Sequence, residues 1–536
     1  MKHKFFLYQP LLLAVVLAAG LYFGYRIANG NRLSERSVFY LPVHKGSKID
    51  NILSYIEQDY VDTITRSMLE DHAIKGMLEK LDPHSQYISP EEFDEMNDPL
   101  LGSFEGIGVS FRIEKDTITV INPVKGGPSE RVGVMSGDRI VMIDDSLVAG
   151  IHITNRDAMR RLKGKKGTKV KVGVFRRGVE GFTELTITRD IIPTFSLDVA
   201  YMINKTIGYI RLNKFSATTH QEFIDAASRL KNLGMSKLIL DLRGNAGGYL
   251  KAATDLADEF LPEGTLIVYT QGKNRSKTYS YASRKGMFEH EDLVVLIDEG
   301  SASASEIVAG ALQDNDRGTV IGRRSFGKGL VQEQVALPDG SAIRLTVARY
   351  YTPTGRSIQR PYDENFKEYH HEPIERFING ELSHSDSIHL TDTVKYITSK
   401  GKIVYGGGGI MPDIFVPITT DSTKYFFNRL ANSGLIFQVA FDYADTHRQQ
   451  LQGYGSAEKF IRNFKVNNEL LNDLLAFAAE KGIRPKPDEW NGSREATRIL
   501  LKAYIGRNVF DDDAFYPVYQ DIDDTLLEAI HYLYNS

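Results

Sequence analysis

The sequence predicts a layered α/β core, with a smaller β-rich module joined to it and a helical extension after it. Three observations carry this. From Phe195 to Arg349, short apolar runs alternate with amphipathic stretches, the pattern of a sheet with helices on its faces. Between Gly102 and Arg189, β-rich runs are separated by glycine-rich turns. Beyond Pro417 the periodicity becomes helical, notably over 458–481, 494–504 and 525–534.

The chain's 536 residues are too many for one ordinary core. Hydrophobic residues at 42% and charged residues at 25% are near the globular average, which argues against wholesale disorder. A formal charge of −4 without a basic block argues against a nucleic-acid partner. Cysteine is absent, which excludes disulfides, thiolate-bound metal, a cysteine nucleophile and a lipidated N-terminal cysteine.

At the N-terminus, Lys2 and Lys4 precede an uncharged run over 5–25, closed by Arg26. As a helix that run would measure about 31 Å, enough to cross a bilayer core. The flanking lysines predict a cytoplasmic N-terminus and a single-pass anchor in 1–30. Ala18-Ala19-Gly20 would also suit cleavage of a signal peptide. Either way, the bulk of the chain is expected outside the cytoplasm.

The next segment, 45–98, reads as helical. Ile49, Ile52, Leu53 and Ile56 share one helical face, as do Met68, Ile74, Met77, Leu78 and Leu81, and Asp82-Pro83 ends the pattern. The β-rich module spans 99–190, with strands expected at 108–113, 117–121, 139–143, 169–176 and 183–188 and one helix at 155–162. The α/β core covers 191–418. Its strands are expected at 207–212, 238–242, 266–270, 293–297 and 319–321, with a hairpin-like pair at 331–335 and 342–348. Its helices are expected at 221–233, 250–260 and 303–313. The charged, His-rich stretch 361–392 reads as a surface excursion, and 419–536 as a separate helical extension.

Three motifs carry chemistry. In Gly300-Ser301-Ala302-Ser303-Ala304-Ser305-Glu306, Ser303 and Glu306 have the spacing of a capping box, a purely structural device. A helix N-terminus also favours an oxyanion, so cap and nucleophile geometries are compatible. Phe326-Gly327-Lys328-Gly329 offers a base if burial lowers the lysine's pKa, although a solvated surface lysine is the commoner case. Gly322 through Lys328 fits a phosphate loop until Gly329, where Ser or Thr is required, and a strand rather than a helix follows. Asp241-Leu242-Arg243-Gly244-Asn245-Ala246-Gly247-Gly248, at the end of a buried strand, could present an N–H to an oxyanion or be a plain strand-to-helix turn.

Together these motifs resemble the carboxy-terminal processing peptidases, the tail-specific serine protease family S41. Gly208-Tyr209-Ile210-Arg211-Leu212, Tyr351-Thr352-Pro353-Thr354-Gly355-Arg356-Ser357-Ile358-Gln359 and Gly408-Gly409-Ile410-Met411-Pro412-Asp413 extend the resemblance. It implies a crotonase- or ClpP-like core with Ser303 as nucleophile, Lys328 as general base and Gln332 orienting the lysine. It also implies oxyanion donors at Ala304 and one of Gly247 and Gly248, more readily Gly248, with no cofactor. Gly106-Ile107-Gly108-Val109 resembles the carboxylate-binding loop of a PDZ domain. Gly127-Pro128-Ser129, Gly133, Gly137-Asp138, Ile140 and Ile143-Asp144 resemble the segment after that loop.

The expected function is endopeptidase cleavage of exported proteins near their C-termini, with free C-termini captured in the PDZ groove and a homo-oligomer possible. A membrane-tethered PDZ adaptor or holdase with a silent core is the alternative.

Overall fold

Apolar runs bounded by glycine turns are long enough here for strands of four to six residues, and the computed structural model pairs them into two stacked sheets. It describes residues 14–23, 47–362, 366–389, 394–418, 424–486 and 488–535, and divides into two units between Met77 and Leu78. In the first unit, residues 14–23 are helical and exposed. Among the described residues no helix is long and apolar enough to cross a membrane. Residues 5–13 and 24–25 of the apolar run lie outside the described residues. Ser47 caps the helix Lys48–Asp59 through reciprocal bonds with Asp50, and Arg66 holds Asp50 at 3.1 Å.

In the second unit the central sheet runs Leu197–Met202, Ile207–Leu212, Lys237–Asp241, Asp292–Ile297, Thr319–Gly322, Ile414–Phe415. Its first pair is antiparallel and the others are parallel. Period-two alternation divides its side chains between two cores. Leu238, Leu240, Val295 and Ile297 face the helices Thr219–Asn232, Leu250–Asp258 and Ala304–Asp314. Ile239, Val294 and Leu296 face the other way. A second, antiparallel sheet pairs Gln86–Ile88, Ala342–Tyr351, Leu266–Gln271 and Thr278–Tyr281, with Leu330–Ala336 also on Ala342–Tyr351. Ile267, Val268 and Tyr350 carry its inner face into the first core, so the helices lie between two sheets.

The β-rich module forms its own sheet, in the order Val109–Glu114, Thr117–Pro123, Arg139–Ile143, Lys169–Phe175, Thr183–Thr188. Its helix Asn155–Leu162 is capped by Thr154 and Asp157 and buries Ala158 and Leu162 against that sheet.

Three expectations need correcting. The N-terminal segment is not helical throughout, since Gln86–Ile88 pairs with Ala342–Tyr351 ahead of the helix Pro90–Leu101. The stretch from 361 is not a surface excursion. It contains the helix Phe366–Ile378, which buries Tyr369 and Arg376. Nor is the C-terminal extension separate. Its helices from Tyr425 to Tyr519 build their own core, but Leu526, Ala529 and Leu533 of Asp524–Asn535 cover Ile239, Val294 and Leu296. A sheet apolar on both faces requires cover on both, and the last helix supplies the second cover.

Candidate active site

Ser303 and the Asp241–Gly248 loop meet because both follow the C-terminal ends of neighbouring parallel strands, Asp292–Ile297 and Lys237–Asp241. Open α/β sheets form their sites at this edge. Ser303 immediately precedes the helix Ala304–Asp314 and has φ +53°, a left-handed value that is strained for a non-glycine residue. Gly247 lies against it. A Cβ there would sit 2.9 Å from both Ala304 N and Ser303 Cβ, and its φ of +100° excludes an ordinary side chain as well.

Glu306 is fully buried and links the nucleophile candidate to the base candidate. One carboxylate oxygen accepts from Ser303 N at 2.8 Å and Lys328 N at 2.9 Å. The other accepts from Gly327 N at 2.6 Å and Ser325 Oγ at 2.5 Å. Burial pushes its pKa up, while these donors favour the carboxylate. The Tyr350 hydroxyl lies against both the Ser303 and Lys328 carbonyls, at 3.1 Å from the former. Sequence reading gave Glu306 only as a cap; in the structure it joins two chain segments, and nothing local in the sequence signals the second.

Lys328 Nζ donates to Gln332 Oε1 at 3.0 Å, and Gln332 Nε2 donates to the His84 carbonyl at 2.6 Å. Burial holds the lysine pKa below its usual range, and the Arg344 guanidinium adds to the effect against Asp82 and Glu306. His84 Nε2 meets Tyr369 OH at 2.7 Å, and burial, with Lys328 next in effect, pushes the imidazole pKa down to about 4.

The helix Phe366–Ile378 and the residues after it brace the lysine loop. Arg376 donates to the Ser325 and Arg324 carbonyls at 3.1 and 2.7 Å. Glu381 accepts from Arg324 and Arg376 at 2.7 and 2.8 Å, and the Arg360 guanidinium lies over Phe326 and Tyr369 at 4.1 and 3.8 Å.

The candidate oxyanion donors separate on geometry. Gly247 N–H already donates to Asn245 Oδ1 at 2.9 Å. Ala304 N begins the helix, where N–H groups lack intrahelical acceptors. Phe215 pairs with Gly248, its N–H reaching Gly247 O at 2.9 Å and its carbonyl accepting Tyr249 N–H at 2.8 Å.

Gly106, Ile107, Gly108 and Val109 are not at this site. Ile107, Gly108 and Val109 line a separate cleft of about 300 Å³ with Met159 and Leu162 of the module's helix, while Gly106 is not among its lining residues. Gly108 has φ +72° and a Cβ there would press on Ile192 at 2.9 Å, so the loop depends on its glycine.

A two-sheet α/β peptidase core carrying a PDZ-like module is thus defined. Residues 206–364 match Peptidase family S41 and residues 106–187 a PDZ domain, while residues 426–511 match a family of unknown function (DUF8443). Over 339 residues the chain is 37% identical to a carboxy-terminal-processing protease of Bartonella bacilliformis, covering 60% of this chain and 77% of that one. It is 35% identical over 361 residues to the carboxy-terminal processing protease CtpA of Bacillus subtilis, covering 67% and 76%. Among solved structures, a photosystem II D1 C-terminal processing protease aligns at 26% identity and TM-score 0.36, over 68% of this chain and 85% of that one. The chain belongs to Peptidase family S41, with the carboxy-terminal processing proteases.

Proposed function

We propose that the chain is a serine endopeptidase that cleaves exported proteins near their C-termini through a Ser303–Lys328 dyad, with the PDZ groove capturing the substrate's free C-terminus. The observation that carries this reading is the double tie of Ser303 N and Lys328 N to one Glu306 oxygen. It holds a strained helix-start serine to the same anchor as a lysine whose pKa is lowered by burial.

In this reading neutral Lys328 takes the Ser303 hydroxyl proton as Oγ attacks the scissile carbonyl. The N–H groups of Ala304 and Gly248 hold the oxyanion. Collapse breaks the C–N bond, and the Lys328 ammonium returns the proton to the leaving amine. The lysine, neutral again, then takes a proton from the water that hydrolyses the acyl-enzyme. Gln332 acts through Lys328 as a positioning residue. The apolar run at 5–25 serves as a membrane anchor, or as a signal peptide, with the catalytic part outside the cytoplasm.

The test is cleavage of an unstructured polypeptide tail by the full chain. Ser303→Ala should abolish it, and Lys328→Arg should not restore it to Lys328→Ala, because guanidinium stays protonated. Proteolysis surviving Ser303→Ala, or an active arginine variant, would remove the dyad. Capture is tested separately by amidating the tail, which should weaken binding by roughly 1.5–3 kcal/mol, the scale of a lost charge-assisted hydrogen bond. Location is read from carbonate extraction of membranes and from protease access in intact cells.

A further inference from the structure

The PDZ groove is not walled by its own module alone. Glu95, Asp98 and Pro99 of the helix Pro90–Leu101 line it, and so does Lys214, which lies between the central strand Ile207–Leu212 and the helix Thr219–Asn232. The charges on these walls pair off with one exception. Lys163 is held by Asp98 at 2.8 Å, and Glu95 by Arg156 at 3.5 Å. Among the described residues, the Lys214 ammonium makes no hydrogen bond or ion pair. The two carboxylates that act on it from the core side, Glu222 and Asp198, are engaged elsewhere. Glu222 accepts from Ser196 and Leu197 N–H and from Thr218. Asp198 accepts from Arg211 and Asn213.

A half-buried ammonium facing a largely apolar cleft is unfavourable unless an anion joins it, and burial already lowers its pKa. We propose that Lys214, a residue of the peptidase core, is a second reader of the substrate's terminal carboxylate in the PDZ groove. This rests on the capture reading above and assigns part of the recognition to a residue outside the PDZ domain.

The occupant is the α-carboxylate of a polypeptide C-terminus, because the same cleft is lined by Ile107, Gly108 and Val109 of the module's loop and by apolar walls fit for a final side chain. A consequence follows from the chain path. Lys214 precedes Phe215, whose N–H and carbonyl bond Gly247 O and Tyr249 N. The tail's anchor and the candidate oxyanion glycines are therefore joined by two backbone hydrogen bonds.

The experiment uses the full chain and matched peptides ending in a free acid or an amide, read as the ratio of kcat/KM for acid over amide. That ratio cancels any effect common to both substrates. The wild-type ratio is expected at roughly 10 to 100, the scale of a charge-assisted contact. Lys214→Met should cut it at least about fivefold, and Lys214→Arg, which keeps the charge, should retain most of it. A Lys214→Met ratio equal to wild type overturns the proposal. A wild-type ratio of one instead overturns capture itself, so the two failures are distinguishable. A third peptide, amidated but with an acidic final side chain, checks the occupant. If Lys214→Met loses preference only there, the α-carboxylate assignment is wrong. Lys214→Gln, with thermal melting recorded for every variant, guards against a folding artefact.

Discussion

The cleft at Ser303 and the groove at Gly108 are built on opposite principles. In the cleft the polar groups hold one another, with four donors on Glu306, Lys328 on Gln332 and Gln332 on His84. In the groove the walls are mostly apolar, the other charges among them are paired, and one ammonium is left open. Under the proposed function, the difference follows from the task. A nucleophile and base must be held near their reacting geometry before substrate arrives, since a misplacement of about 1 Å can cost about a hundredfold in rate. A site that accepts many tails must instead desolvate easily and leave capacity unfilled. Isosteric changes should therefore be severe in the cleft and mild in the groove.

The largest test is Glu306→Gln. The amide preserves shape but turns one acceptor into a donor, which must then face either Ser303 and Lys328 N–H or Gly327 N–H and Ser325 Oγ. Leaving one buried pair unsatisfied should lower stability by about 2–4 kcal/mol. The rate should fall on the order of 100-fold or more as the two segments drift apart. Chemical denaturation and kcat on a tailed substrate check both. A Gln variant with wild-type stability and rate would mean the cleft is no more exacting than the groove.

Arg344→Met should act more gently and through pH. Arg344 is one of the groups holding the Lys328 pKa below its usual range, so removing its charge lets that pKa rise. A smaller fraction of the lysine is then neutral at a given pH, and the acid limb of kcat/KM moves to higher pH. The loss near neutrality should be recovered in alkaline buffer and be smaller than that of Glu306→Gln. An unmoved limb would mean that burial alone tunes the lysine.

How much of this was legible in the sequence divides along the same line. Strands at 139–143, 183–188 and 207–212 and the helix at 155–162 fall where periodicity puts them, because their apolar spacing reports the face they bury. Ser303 and Lys328 stand out in the sequence through their motifs, whereas Gln332 is singled out only by the family resemblance. The brace from Phe366–Ile378 was not. Pro373 lies inside that helix and argues against one. Glu372, Arg376 and Glu381 read as solvated charges, although Arg376 and Glu381 are buried in a mutual network. Hydropathy cannot distinguish a solvated ion from a paired buried one. The cover provided by Leu526, Ala529 and Leu533 depends on contacts across more than 200 residues, which no local window contains. Tyr369→Phe measures what the brace contributes. It removes the hydroxyl at His84 while keeping the ring under Arg360, so Gln332 loses only the rigidity of its acceptor. A fall in kcat of about threefold to tenfold is expected, the lower end of a positioning effect. Wild-type kcat would show that the His84 carbonyl holds without help.

The smallest effect is expected in the groove itself, at Met159. Its side chain lines the cleft from the helix Asn155–Leu162, whose Ala158 and Leu162, not Met159, belong to the module's buried core. Met159→Ala therefore removes groove wall without opening a hole in the core, and the melting temperature should hold. Methionine is an adaptable, polarizable wall that accepts several shapes. Shortening it should raise KM by about twofold to threefold for tails ending in a small aliphatic residue, which lose contact area. Tails ending in phenylalanine should lose less or gain, because the widened pocket admits the ring. Ranked KM values for tails ending in Ala, Val, Leu and Phe read the change directly. A uniform loss across the four would mean that the groove is as shape-exacting as the cleft, and the contrast between capture and catalysis would fail at that point.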